Sequence, residues 1–352
     1  MSVSISNNIN NFGLLRSFSF DGMFIVGIAV VAIASAFLVV YNPALFPIIL
    51  FIDLWALGYH HVISTYTRLA FDAESRANNR FFLYGLLPIV FIITLALAFG
   101  VGLWTIGTIY LYWQWFHYTR QSWGVSQAYR RKSGGLVRES ETLTKWAFYS
   151  LPAWGILYRS YQGSDKFLGL ELRVIPIPEF VVYIAAIVTI AAIGTWGWQR
   201  LKAIMNGEAP IAHTLYMMSH FLVFGIGYLV IEDITYGWLA INIWHNAQYV
   251  LFVWLFNTNK FKDGVSTKTW LLSTLSQPQN RIYYFSFCIA ISTVIYLSIS
   301  AGISATFAET AIPAALVIYS AVNFHHYIVD SYIWKMRKPS IQKNVGIEEA
   351  PH

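Results

Sequence analysis

Charge is what this sequence has least of. Asp, Glu, Lys and Arg together make up 11% of its 352 residues, where soluble domains carry about a quarter. With 57% hydrophobic residues the chain has too little polar surface to clothe a soluble fold, and its repeated apolar runs of about 20 residues match the thickness of a bilayer core. Cysteine is nearly absent as well. Cys288 is the only one, which excludes an intrachain disulfide framework and a Cys-rich zinc or iron–sulfur centre. No charged segment precedes a short apolar one at the N-terminus, so a cleaved signal peptide is not expected. Nor do basic and aromatic residues alternate as they do on nucleic-acid-binding surfaces, which removes nucleic acid from the expected partners. The net charge of +6 sits mainly in loops and reports topology.

What is present is a series of apolar runs, and they predict an all-α, polytopic transmembrane bundle of about ten spans. The runs fall near 21–40, 43–63, 82–99, 101–119, 143–158, 180–199, 211–231, 237–256, 282–302 and 309–334. Lys and Arg gather after the second, fourth, sixth, eighth and tenth runs, as in Arg130, Arg131, Lys132 and Arg138, or Lys335, Arg337 and Lys338. The connections after the first, third, seventh and ninth have none. Positive charge marks the cytosolic side, which puts both termini in the cytosol. The expected organisation is a flexible cytosolic tail over 1–20, a single transmembrane domain over 21–334 and a basic cytosolic tail over 335–352. A bacterial inner membrane is the expected location.

Histidine is where the chemistry gathers. The sequence has nine; one is the final residue, His352, and the other eight all lie in predicted spans: His60, His61, His117, His213, His220, His245, His325 and His326. Counting about 1.5 Å of rise per residue puts every one of them in the cytosolic half of the membrane, at depths of about 5 to 17 Å. A lone buried imidazole is usually a hydrogen-bonded packing residue, but packing gives no reason to collect eight at one depth. Polar groups inside a membrane are costly and face the bundle interior, so a shared metal site is expected. Imidazole suits iron, copper, zinc and nickel alike. His213 and His220 are seven apart, about 10 Å along a helix, and adjacent histidines diverge by about 100°. Both facts favour two ions, or one ion with a hydrogen-bonding surround.

Several polar residues share helix faces with these histidines. Asp330 lies four residues after His326, where a carboxylate can orient the ring or bind the ion. Gln121 is placed beside His117, Asn242 and Gln248 beside His245, and Asp53 two turns from His60 on the same stripe. The plainer role of such groups is interhelical hydrogen bonding, worth about 0.6–2 kcal/mol each. Trp113, Tyr118, Trp244 and Tyr249 lie within four residues of a histidine and are candidates to line a substrate path. No catalytic residue is assigned by the sequence.

Imidazoles with few carboxylates and open positions suit iron that activates dioxygen. Polytopic helices bearing eight histidines on one side, including "HH" at 60–61 and "HHYIVD" from His325, resemble the membrane fatty-acid desaturase and hydroxylase class, and also the Brp/Blh-type carotenoid dioxygenases. The resemblance implies iron, one or two ions, and oxidation of a lipid or isoprenoid by dioxygen. The boxes HxxxH and HxxHH of the former class do not occur here, so no residue roles carry over. A cytosolic electron donor docking on the basic loops is the expected partner, and oligomeric state stays open. Haem, copper and zinc remain alternatives, as do a bis-histidine haem protein and a metal or proton transporter as function classes.

Overall fold

The computed structural model describes residues 12–133, 140–306 and 314–347. The first eleven residues of the expected N-terminal tail, Arg138, the start of the tenth expected span at 309 and the terminal residues from 348, His352 included, lie outside them. The chain is 83% helical and essentially all-α. Among the described residues, six helices are long and apolar enough to cross a membrane: α1 (Phe18–Tyr41), α2 (Pro43–Phe71), α3 (Phe81–Gly100), α6 (Glu179–Met205), α7 (Ile211–Val230) and the span Pro278–Ser298, in which a short turn leads into α9 (Arg281–Thr306). Four further long helices are α4 (Leu103–Lys132), α5 (Glu141–Gln162), α8 (Ile234–Lys260) and α10 (Ala314–Ile333).

The division between the six and the four has a physical basis. Helices of the first group turn apolar side chains outward: Val30 and Val31 on α1, Ile187 and Ile190 on α6, Ile282 and Leu297 on α9 are all exposed. Helices α4, α5, α8 and α10 carry many buried polar residues, among them Gln114 and His117, Thr144 and Arg159, Asn242 and His245, and His326 with Asp330, and so do the inward faces of α2, with His61 and Thr65, and α7, with His213 and His220. Each such residue lowers the mean hydropathy of its helix, so the interior helices fall outside the apolar class by composition while matching it in length. Helix α8 is the axis of the bundle. It is buried on all sides over most of its length and packs against α1, α2 and α7.

Local chemistry sets the helix ends. Ser17, Ser140 and Asp233 accept hydrogen bonds from the first free N–H groups of α1, α5 and α8, as short polar side chains at the N-cap do. Gly163 ends α5 in the left-handed conformation at φ 68°, which glycine adopts without a Cβ clash. Helix α1 begins three residues before its expected start, and its approach is fixed: the Asp21 carboxylate accepts N–H groups of Leu15, Arg16 and Ser17 and the Tyr129 hydroxyl of α4. After α10 the chain forms a short helix, Pro339–Asn344, that packs on α8. The only strand pairing among the described residues is a two-residue ladder, Lys166–Phe167 with Leu170–Glu171.

Candidate metal centre

Four helices each deliver one imidazole to the same place. His61 of α2, His117 of α4, His245 of α8 and His326 of α10 are all at least nine-tenths buried. The ring centroids of His61 and His326 are 4.5 Å apart, those of His117 and His326 5.0 Å, and those of His61 and His245 4.8 Å. One ligand atom from each of His61, His117, His326 and Asp330 lies within 4.8 Å of the other three, a grouping that could hold a metal ion. The Nε2 atoms of His117 and His245, Nδ1 of His61 and Oδ2 of Asp330 are buried without a hydrogen-bond partner among the described residues. Buried polar atoms are nearly always paired, and these four belong to neighbouring side chains whose chemistry suits a shared ion.

The surround of this group holds its rings in place. Thr65, one turn beyond His61, has its Oγ1 2.9 Å from His326 Nδ1 and 3.0 Å from Asp330 Oδ1. The Tyr249 hydroxyl donates to the same carboxylate oxygen at 3.0 Å and accepts the Trp334 indole N–H at 2.8 Å. Thr65 Oγ1, which also meets the Tyr249 hydroxyl, ties the His326 ring to the Asp330 carboxyl group. On its other side His326 Nε2 faces His61 Nε2 at 2.7 Å. An imidazole held this way by an outer partner is oriented for metal binding. Thr65→Val is expected to weaken metal retention roughly 10–100-fold, read by competition against a chelator, with helix content unchanged.

The other four histidines stand elsewhere, each in its own setting. His325 is satisfied on both nitrogens, by the Tyr66 hydroxyl at 2.7 Å and by the Phe82 carbonyl of α3 at 2.7 Å. His220 lies between Ser122 and the Phe148 carbonyl and stacks on the Phe148 ring at 3.7 Å. His213 accepts from Arg200 at 3.3 Å, near the start of α7. His60 faces Tyr284 and Phe285 of α9. The structure therefore brings together one histidine of each adjacent pair and leaves its neighbour on the opposite flank, as a 100° step requires.

The expected surround is divided in the same way. Asp330 is within the group and Gln121 lines the adjoining cavity. Asn242 instead serves Asp53: its amide donates to that carboxylate, Asn246 does so at 3.4 Å, and the Tyr118 hydroxyl donates to the Asn242 carbonyl oxygen. Gln248 points away, to the Phe24 carbonyl at 3.2 Å and the Tyr216 hydroxyl at 3.1 Å. Asp53 does not share a stripe with His60. Residues Asp53–Gly58 form a π turn, which inserts one residue per turn, so the eighth residue after Asp53, His61, returns to the interior face rather than the seventh. Such bulges often occur at functional sites. Tyr249 stacks on His61 at 4.0 Å and Tyr118 on His245 at 3.9 Å. Trp113 lines the cavity, whereas Trp244 packs deep among Tyr216, His220 and Phe224.

Sequence reasoning missed Thr65, Tyr327 and Trp334. Thr65 and Trp334 were reachable, because 61 and 65 form one helical stripe and 326, 330 and 334 another. Tyr327 stacks on His117 at 4.2 Å, and no spacing signal foretells that.

A cavity of about 670 Å³ reaches the group from one side, where His117, Asp330 and Tyr249 form part of its wall. Comparison with protein-family models, curated proteins and solved structures gives no match.

Proposed function

We propose that this chain is a membrane-embedded non-haem iron enzyme that uses dioxygen to oxidise a lipid or isoprenoid, as an oxygenase, desaturase or hydroxylase. The observation that carries this reading is the meeting of His61, His117, His326 and Asp330 at the wall of a cavity with aromatic sides. One ion fits four such ligands, and the unpartnered Nε2 of His245 stands beside them. Bound there, iron would supply the activation of dioxygen. The protein's own contribution is positional. Thr65 and Asp330 fix the His326 ring, and Tyr249 is held against His61 by Trp334. The cavity wall presents Trp113, Phe116 and Phe252 to an apolar substrate.

In this reading all ten long helices cross the membrane, both termini face the cytosol of a bacterium, and a cytosolic donor delivers electrons at the basic helix ends. The crowding of the imidazoles supports a bare ion over haem. A macrocycle must lie between two opposed rings, and His61 and His326 approach to 2.7 Å between nitrogens.

Elemental analysis of the detergent-purified protein, together with its absorption spectrum, tests this. About one iron per chain without a haem Soret band is expected, and the iron-loaded protein should consume oxygen when membrane lipid is added. Protein that carries no transition metal as purified, and takes up none on reconstitution with ferrous iron, would sink the reading.

A further inference from the structure

The cavity has a mouth whose chemistry the metal group does not explain. Its lining follows α4 from Trp113 to Gln127, which at the helical rise is about 20 Å. The inner part is walled by His117, Tyr249 and Asp330, with Phe252 and Tyr327 beside them. Around the outer part stand four cations, Arg120, Lys145, Lys335 and Arg337. They come from three separate places in the chain: α4, the second turn of α5 and the turn that follows α10. Among the described residues, Asp330 is the one acidic residue in the wall, and its Oδ1 is taken by Thr65 and Tyr249. Among the described residues, the Lys and Arg side chains in salt bridges are Arg130, Arg173 and Lys260, and none of the four is among them. The Gln121 carbonyl oxygen, in the same wall, is buried without a partner. Phe116 lies in the wall and is 44% exposed, so the opening has an apolar lip as well as a basic one.

Cations at the cytosolic ends of helices are ordinary. Four of them around one cavity, with Asp330 the one acid among the described residues of its wall, are not accounted for by that rule, although the Lys335 ammonium also rests over the Tyr332 ring at 4.6 Å. Like charges gathered at a low-dielectric wall repel one another, and a purely hydrocarbon substrate would leave that repulsion unrelieved. An anionic group seated in the mouth would relieve it through charge-assisted hydrogen bonds, and a chain attached to it would lie along the aromatic wall toward the histidines.

We propose that the cavity binds a long-chain amphiphile with an anionic head, a phosphate or a carboxylate, the head held by Arg120, Lys145, Lys335 and Arg337 and the chain directed at the His61–His117–His326 group. The proposal rests on the reading of that group as the site of oxidation, and it names the substrate class. The head would fix how far along the chain the oxidised carbon lies.

The test uses the full chain in nanodiscs of zwitterionic phosphatidylcholine, with radiolabelled hexadecyl phosphate as the probe. Saturable binding is expected, with hexadecanol competing at least about tenfold more weakly. Inorganic phosphate should not compete at concentrations where hexadecyl phosphate saturates, which separates a lipid-borne phosphate from a free one. Lys335→Gln combined with Arg337→Gln should weaken binding about tenfold. Ile328→Trp, which fills the cavity without touching charge, should abolish it. Metal content should stay at the wild-type level in both variants. Equal affinity for hexadecanol, full competition by inorganic phosphate, or binding untouched by Ile328→Trp, as a merely basic surface docking an acidic protein would show, each overturns the proposal. The two readings fail separately. Selective amphiphile binding by a chain that takes up no metal removes the oxidation chemistry and leaves the binding site. A metal-loaded chain indifferent to the head removes only the present inference.

Discussion

His326→Ala should leave the protein folded and nearly free of metal. The imidazole it removes is the hub of the group: it faces His61 Nε2 at 2.7 Å, lies against His117 with centroids 5.0 Å apart, and is fixed through Nδ1 by Thr65. Loss of an outer partner costs about 10–100-fold in metal affinity, and removal of a ligand should exceed that. The expected result is a fall from about one ion per chain to background in elemental analysis after dialysis. Truncation of a buried side chain to alanine also leaves a cavity, so the matched control is His325→Ala, on the neighbouring residue. His325 is satisfied by Tyr66 and Phe82 outside the group. It should lose comparable packing and keep its metal. Equal metal content in His326→Ala and wild type, with both proteins monodisperse, would mean that any ion sits elsewhere.

The contrast between these two residues shows how far the sequence could be read. Composition and the lengths of the apolar runs were enough to foresee an all-α membrane bundle, because the bilayer sets helix length and leaves few alternatives. The same physics hid which helices line the interior. Helices α4, α5, α8 and α10 match the others in length, and buried amides, hydroxyls and imidazoles occur on them and on α2 and α7 alike. Asp330 was legible beside His326 because the i, i+4 relation survives in a regular helix. The choice of His61 over His60 was not. It depends on the π turn at Asp53–Gly58, which rotates everything after it, and an unaligned sequence has no periodicity signal for one inserted residue. His213 and His220 were expected at the depth of the group, yet α7 turns them toward Arg200 and Phe148. Counting residues along a helix carries no information on azimuth, which depended on which neighbour each helix packs against.

Gly237→Ala should be the most damaging single substitution to the fold. Gly227, in the last turn of α7, and Gly237, near the start of α8, face each other where the two helices cross. A Cβ on Gly237 would stand 2.0 Å from the Gly227 carbonyl oxygen and 2.9 Å from Arg159 Nη2. Small residues allow membrane helices to approach this closely, and here the approach also builds a receptor for a buried cation. Arg159 of α5 donates to the carbonyls of Gly227, at 2.8 Å, and of Ile231 and Glu232, where α7 ends. Helix ends leave such carbonyls without intrahelical partners, and the guanidinium satisfies three with one planar fork. An added methyl must push α7 from α8 and pull Gly227 away from Arg159. Overpacking and a broken charged hydrogen bond together cost about 3–5 kcal/mol. In detergent this should appear as a thermal midpoint lower by roughly 5 °C or more, with reduced recovery of monodisperse protein. Gly194→Ala on α6 is the control, since a Cβ there meets nothing within 4 Å. It should match the wild type or slightly exceed it, as alanine is the better helix former by about 1 kcal/mol. A Gly237→Ala protein as stable as the Gly194→Ala one would show that α7 and α8 do not cross at backbone contact, and the seat of Arg159 would have to be redrawn.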